Sequence, residues 1–517
     1  MSSQSLEPFV LLFATFLVLK TLSLRRRGAA LPPGPKGLPI LGNVYDLPRS
    51  REWLAYQQWS HELDSDLVYL NLCGSHVVVV NSIEVARHLF EERSTLYSDS
   101  RPQMTMLNDL VGCDWHFVFM GYGDHWRERR RIFHQHFHPT AALQYRPRAI
   151  HGARVLIQRL LETPDDFMMH LRHMAGSLII GVAYGLEVKP KDDPYVETAE
   201  KALHAMAMAG NAGSFLVDYI PILKYIPAWF PGASFQRKAQ EWRKATTAMV
   251  EAPFAAVKKA MLDGSATPSI ILTLLRDMEE KDNNNVALEK LYSGVAAAAY
   301  TGGSDTTVSA LGSFFLAMML NSEVQTKAQQ ALDDVVGRER LPDFSDEASL
   351  PYISAIVWEV LRWQPVTPLG KSFLLTHEDE YNGYRIPAGS IVVGNAWAML
   401  HDERHFPEPS VFKPERFLLS DGRLNESMRD LVMPAFGFGR RICPGKSLAY
   451  ASLWASVSSV LCTFDVVKPT DETGRPIEPS GEYTTGLVSY PLPFKCRFKP
   501  RSDAAEALIC SAMQEYD

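Results

Sequence analysis

The chain is short of the groups that mark several common protein classes. Its 517 residues include only six cysteines, at positions 73, 113, 443, 462, 496 and 510, with no Cys-x-x-Cys or other metal-ligand spacing. So sparse a set argues against a disulfide scaffold and is expected of reduced thiols in a cytosolic setting. Basic excess is also missing: 52 Lys and Arg stand against 59 Asp and Glu, a formal charge of −7. That balance cannot neutralise a run of phosphates, so nucleic acid is excluded as the expected partner. No internal repeat and no long low-complexity tract occurs, which sets aside solenoids and linker-dominated chains.

Apolar residues are plentiful at 46%, enough for a large buried core. One apolar run stands apart at the N-terminus. Pro8 to Leu19 carries no charge; Lys20, Thr21 to Leu24 and the triplet Arg25-Arg26-Arg27 follow. Counted through Leu24, the run reaches the lower limit of a bilayer span, about 17–25 residues, with Lys20 reaching the headgroups. A cleaved leader carries its positive charge before the apolar run. Here the arginines come after it, so the expectation is a membrane anchor over residues 1–24 with the body on the cytosolic side. Residues 25–40 are basic, then rich in proline (Leu31-Pro32-Pro33-Gly34-Pro35), and read as a stiff extended hinge. Residues 41–517 show no internal linker and are expected to form one catalytic domain.

Within that domain Leu67 to Val80 alternates and predicts a hairpin turning at Gly74-Ser75. Helical patterns dominate from about Ile83 to Met399. Asn283-Asn284-Asn285 breaks the chain before a long helix over about Val286 to Leu320. Short strands are expected near Gly383 to Val393 and Val467 to Phe498. The fold class is therefore mainly α with a small β portion.

Four segments carry chemistry. The first is Phe436-Gly437-Phe438-Gly439-Arg440-Arg441-Ile442-Cys443-Pro444-Gly445. Three glycines let the backbone bring a sulfur close to a large flat ligand. Backbone N–H groups and the arginines favour thiolate over thiol. The plainer reading is a core cysteine in a Gly-rich turn. The second segment is Ala296 to Thr307, where four alanines slim a helix and Gly302-Gly303 each cost about 1 kcal/mol against alanine. That choice suggests a local distortion beside Asp305 and Thr306, although Ser, Asp and Thr also suit a helix cap. The third pairs Glu359 with Arg362 on one helix face and adds Arg416 in Phe412-Lys413-Pro414-Glu415-Arg416-Phe417. The fourth sets Trp126 and Arg130 one helical turn apart, with Arg127, Arg129 and Arg131 beside them.

Together and in this order the segments resemble the cytochrome P450 family, in particular microsomal fungal members that serve secondary metabolism. The pattern Phe-x-x-Gly-x-Arg-x-Cys-x-Gly is filled by Phe436, Gly439, Arg441, Cys443 and Gly445. The resemblance implies haem b with Cys443 as its axial ligand, and propionates held by Arg441, Trp126 and Arg130. It implies that Thr306 and Asp305 relay protons during oxygen activation. Glu359, Arg362 and Arg416 would form a buried structural network. It further implies O2 as co-substrate, NADPH-derived electrons through a flavoprotein reductase, a lipophilic small-molecule substrate such as a terpenoid or polyketide, and the endoplasmic reticulum membrane. Substrate contacts are expected from residues 101–120, 205–230, 298–301, 366–369 and 484–487. One position departs from the pattern: Phe373 stands where many relatives have a propionate-binding histidine, and Lys371 is the candidate replacement. Two other classes remain open at this stage: a haem-thiolate isomerase or dehydratase that needs no O2, and a non-enzymatic haem-binding protein at a membrane.

Overall fold

The computed structural model describes residues 29–100, 104–210, 214–218, 220–281 and 285–512. The expected anchor over residues 1–24 lies outside the described residues. Among those described, no single helix is long and apolar enough to cross a membrane.

Helices dominate. Those of eight residues or more are α1 (Glu52–Glu62), α2 (Asp124–Phe137), α3 (Arg146–Glu162), α4 (Phe167–Tyr184), α5 (Pro194–Gly210), α6 (Ser234–Leu262), α7 (Ile270–Glu280), α8 (Val286–Leu320), α9 (Ser322–Val335), α10 (Pro351–Trp363), α11 (Lys446–Thr463) and α12 (Asp503–Ser511). The axis of the fold is α8, which at 35 residues is roughly 50 Å long. Asn285 starts it: its side chain accepts from the Ala287 N–H at 2.8 Å. From Leu291 to Met319 nearly every side chain is buried, so α8 packs along most of its surface, with Gly302 the exposed exception. Its C-terminal half shares a core with α3, α4, α9, α10 and α11. The alanine-rich middle shares another with α2, α4 and α7.

The mixed sheet has the order β1-β2-β7-β4-β3, from Leu67–Leu72, Ser75–Val80, Ile391–Gly394, Phe373–Leu374 and Asp99–Ser100. The continuous run Val77 to Val80 suits a central strand covered on both faces; β2 pairs antiparallel with β1 and parallel with β7. Two small ribbons complete the β portion, β5 (Asp379–Tyr381) with β6 (Tyr384–Ile386), and β8 (Phe464–Val467) with β9 (Arg497–Pro500).

Several expectations shift. The hairpin turns on Cys73-Gly74, one residue earlier than anticipated: Leu72 pairs with Ser75, and both turn residues have positive φ, 51° and 92°. The helical stretch from Ile83 to Met399 is interrupted by β3 and by β4 to β7. The Gly302-Gly303 step brings no break in α8, whose helical path is continuous. The Pro-rich segment is extended and lies on β1, where Tyr69 N–H donates to the Pro33 carbonyl at 2.8 Å.

Candidate active site

Cys443 stands three residues ahead of α11. A turn at Met433–Phe436 and another at Gly439–Arg441 fold the preceding chain into a compact loop, closed by the Cys443 N–H donating to the Phe436 carbonyl at 2.8 Å. Gly439 has φ 51°, and a Cβ there would sit 2.0 Å from the Phe90 carbonyl oxygen, so only glycine fits. Gly445 is different: a Cβ would stand 3.9 Å from Cys443 Sγ, an ordinary contact. Phe438 packs on Phe90, and Phe90 stacks on Phe373 with ring centres 4.4 Å apart. Phe373 is thus spent on joining the sheet to the cysteine loop.

Cys443 lies deep in the protein yet keeps an accessible face, as a group on the wall of an internal space does. Burial pushes its thiol up; the Gly445 N–H, Arg130 and Lys446 pull the other way without prevailing. The neighbours thus act in the expected direction, toward thiolate, but burial outweighs them. Desolvation wins until a cation arrives at the sulfur.

Around this thiol the structure gathers α2 and the segment that precedes it. Arg130 is close enough for its charge to act on Cys443, and burial lowers its own pKa. No hydrogen bond or ion pair holds it among the described residues. Trp126 is buried with its Nε1–H unsatisfied. Arg441 stacks on Trp126, its guanidinium carbon 4.4 Å from the ring centre. It also donates to the carbonyls of Ser98, Phe117 and Met120 at 2.8, 3.2 and 3.0 Å. Arg441 therefore ties the cysteine loop to two other segments and keeps only part of its donor set free.

The alanine-rich middle of α8 packs in one cluster with Trp126 and with Leu448, which follows the cysteine loop. Gly302 is exposed in mid-helix between buried Thr301 and Ser304, and a Cβ there meets nothing within 4 Å. The helix thus borders open space at Gly302. Gly303, one step around, faces Ile179, where a Cβ would come within 2.9 Å. Thr306 Oγ1 donates to the Gly302 carbonyl at 2.6 Å. Asp305 is half-buried; desolvation raises its pKa, with Tyr490 and Arg172 opposing. The Tyr490 hydroxyl donates to the Asp305 carbonyl at 3.3 Å.

Loops close the remaining sides. The Ser309 hydroxyl of α8 donates to the Ser489 carbonyl at 2.5 Å, and Ser489 N–H donates to the Val366 carbonyl at 2.8 Å. The chain near 484–490 therefore links α8 to the 366–369 loop. Met106, Leu107, Val111 and Cys113 share an apolar cluster with Met206, Ala209 and Val217, so two of the expected contact regions pack on each other. Residues 101–103, 211–213 and 219 lie outside the described set.

Away from this chamber, Glu359 and Arg362 are both fully buried and joined by hydrogen bonds of 2.7 and 2.8 Å. Arg416 Nε reaches the same carboxylate at 3.3 Å.

His116 was not singled out by the sequence. Its ring is buried and lies 2.8 Å from Thr301 Oγ1. Nδ1 accepts from the Val118 N–H at 3.3 Å, which leaves Nε2–H to donate to Thr301. The Thr301 hydroxyl in turn donates to the Ala298 carbonyl at 3.1 Å. Nothing in Trp115-His116-Phe117 signals a partner 185 residues away.

Comparison with known proteins agrees with this geometry. The family model described as Cytochrome P450 matches residues 32–498. "Cytochrome P450 monooxygenase 98" of Postia placenta is 44% identical over 97% of this chain and 97% of its own length. "Cytochrome P450 monooxygenase ple1" of Rhodocybe pseudopiperita is 44% identical over 94% and 92%. "Tryptamine 4-monooxygenase" of Psilocybe cyanescens is 38% identical over 92% and 94%.

Proposed function

The chain belongs to the cytochrome P450 family and is a haem-thiolate monooxygenase using O2 and reducing equivalents; from that premise we propose how its own residues serve the reaction. Cys443 would hold the iron of haem b through its sulfur. The observation that carries this reading is the set on and near the cysteine loop: a buried Trp126 N–H without an acceptor, stacked under Arg441, and an Arg130 without an ion-pair partner among the described residues whose charge reaches Cys443. A flat dianionic porphyrin satisfies both. Bound haem supplies the oxygen-activating chemistry.

The protein's part is binding, exclusion of water and proton delivery. Arg130, Trp126 and the free donors of Arg441 hold the propionates. Phe436, Gly439 and Gly445 shape the loop that carries the sulfur. The slim Ala296 to Gly302 face of α8 leaves room for the cofactor and a substrate. Asp305, whose carboxyl is held toward its protonated form by burial, passes protons inward, and the Thr306 hydroxyl places them. The apolar side chains around the alanine-rich stretch, Trp115 and Phe117 among them, suit a lipophilic substrate, of terpenoid or polyketide type. Electrons come from NADPH through a flavoprotein reductase.

Association with the endoplasmic reticulum membrane through residues 1–24 is part of the proposal. Its support is the uncharged run Pro8 to Leu19 and a group of exposed apolar side chains, among them Ile222, Tyr225, Trp229 and Phe230.

The test is the reduced carbon monoxide spectrum of the purified protein. The parent shows the thiolate-type band and Cys443→Ala loses it. An unchanged band in Cys443→Ala overturns the ligand assignment.

A further inference from the structure

The inference concerns Lys371 and rests on the reading of the Cys443 chamber as the haem site. Lys371 lies in the loop between α10 and β4, just after Gly370, whose φ is 55°. Two hydrogen bonds pin that loop: Ser489 N–H to the Val366 carbonyl at 2.8 Å and Trp397 N–H to the Pro368 carbonyl at 3.0 Å. Past Lys371, Phe373 pairs with Ser100 in the sheet and packs under the cysteine loop. The lysine therefore leaves a fixed backbone at the edge of the chamber.

Its side chain runs inward. Like Cys443, it lies deep while keeping an accessible face. The ammonium nitrogen finds only the Ser372 carbonyl, at 3.2 Å, and the Phe373 ring, 5.7 Å from its centre. No carboxylate forms an ion pair with it among the described residues.

The neighbouring charges are Arg441, which opposes the ammonium, and Asp99, which favours it. Asp99 is already engaged: Oδ1 accepts the backbone N–H groups of Ser100 and Tyr122, both at 2.7 Å. Arg441 in turn holds the Ser98 carbonyl, one residue away. Arg130 adds a further cation near Arg441. Two basic side chains, Lys371 and Arg441, thus share one carboxylate, Asp99, with a third cation close behind. A buried cation without a counter-ion is costly and gives up its proton. Accordingly burial, with Arg441 second, holds the Lys371 ammonium well below the ordinary lysine range. An arriving carboxylate would remove that penalty.

We propose that Lys371 is a carboxylate-binding residue of the haem chamber. Two molecules can bring that carboxylate: the haem itself, through a propionate on the Arg441 side, or a substrate bearing an acid group. Both place an anion against the same ammonium, and experiment separates them.

The measurements use full-length holoenzyme in three forms: parent, Lys371→Met and Lys371→Arg. Haem loss is followed by transfer to excess apomyoglobin. Substrate-side recognition is followed by optical titration of the ferric protein with dodecanoate and with dodecan-1-ol. If the haem supplies the carboxylate, Lys371→Met loses haem several-fold faster and its reduction potential becomes more negative, with the acid-to-alcohol affinity ratio unchanged. If a substrate supplies it, haem retention is unchanged and the preference for dodecanoate collapses several-fold. Lys371→Arg restores either property. A Lys371→Met protein that matches the parent in both haem retention and affinity ratio overturns the assignment. A parent without the thiolate-type carbon monoxide band sinks the haem reading and this inference with it, an outcome read independently of the variant.

Discussion

Arg362 forks onto Glu359 through Nε and a terminal nitrogen, at 2.7 and 2.8 Å, with neither side chain reaching solvent. The carboxylate is fully occupied, since the Lys413 N–H and Arg416 Nε also donate to it at 2.7 and 3.3 Å. The remaining Arg362 nitrogen donates to the Leu400 carbonyl at 3.0 Å. One acid and two arginines thus clamp α10 to the irregular chain after Leu400, which leads into the cysteine loop.

Removing one partner leaves an uncompensated buried charge, a loss of about 3–5 kcal/mol. Glu359→Gln is therefore expected to unfold at much lower denaturant and to be recovered with little haem. Arg362→Lys should be nearly as damaging, because an ammonium cannot reproduce the fork. Chemical unfolding and haem content per chain are the measurements. A Glu359→Gln protein with the parent's midpoint would show that the clamp carries no stability.

Gly302 and Gly303 are adjacent in sequence and opposite in environment. Alanine at Gly302 meets nothing within 4 Å, and it should gain up to about 1 kcal/mol from helix propensity. Its methyl would project into the chamber, so bulky ligands should bind more weakly. Alanine at Gly303 would approach Ile179 Cγ1 to 2.9 Å and should cost about 1–3 kcal/mol by overpacking. Unfolding midpoints of the two variants should move in opposite directions. Equal shifts would remove the distinction between an open and a packed face.

This contrast shows where the sequence was legible. The extent of α8 could be read because its cap, Asn285, and its unbroken apolar run are local features. The cysteine loop could be read because glycine spacing is local too. Which glycine faces the chamber could not be read, since that depends on Ile179 in another helix. The two-residue strands Asp99–Ser100 and Phe373–Leu374 carry no periodicity, and each exists only through the other. The His116–Thr301 bond was hidden for the same reason. At Phe373 the sequence showed a departure from pattern; only packing shows that the ring stacks on Phe90 while the neighbouring Lys371 is left with a backbone carbonyl as its hydrogen-bond partner.

Thr306 offers a chemical test. Its hydroxyl is anchored on the Gly302 carbonyl at 2.6 Å, at the point where α8 borders the open space. With its one hydrogen on that carbonyl, the oxygen is left with lone pairs that accept a proton, and turning the hydroxyl off Gly302 frees its own hydrogen to be passed on. In a system reconstituted with a flavoprotein reductase, Thr306→Ala should release more hydrogen peroxide per NADPH and form less product. Thr306→Ser, which keeps the hydroxyl, should stay near the parent. Product per NADPH at the parent level in Thr306→Ala would sink the relay role.

His116 gives a pH prediction whose sign follows from burial. Desolvation lowers its pKa from 6.5 to about 4, so the folded protein holds the ring neutral while the unfolded chain protonates it. The unfolded state therefore binds more protons across that interval, and stability falls as pH drops through it. The contribution is fully present above 6.5 and is lost progressively toward 4. From about pH 7.5 to about pH 5.5 the loss should be about 1.4 kcal/mol. His401, lowered to about 3, acts with the same sign, so the parent alone does not isolate His116. The difference between parent and His116→Gln does, because glutamine stays neutral and keeps a donor for Thr301. Denaturant unfolding at both pH values should show a shallower acid dependence in His116→Gln. Parallel curves for the two proteins would mean that the ring is solvated and that the Thr301 bond does not hold the loop against α8.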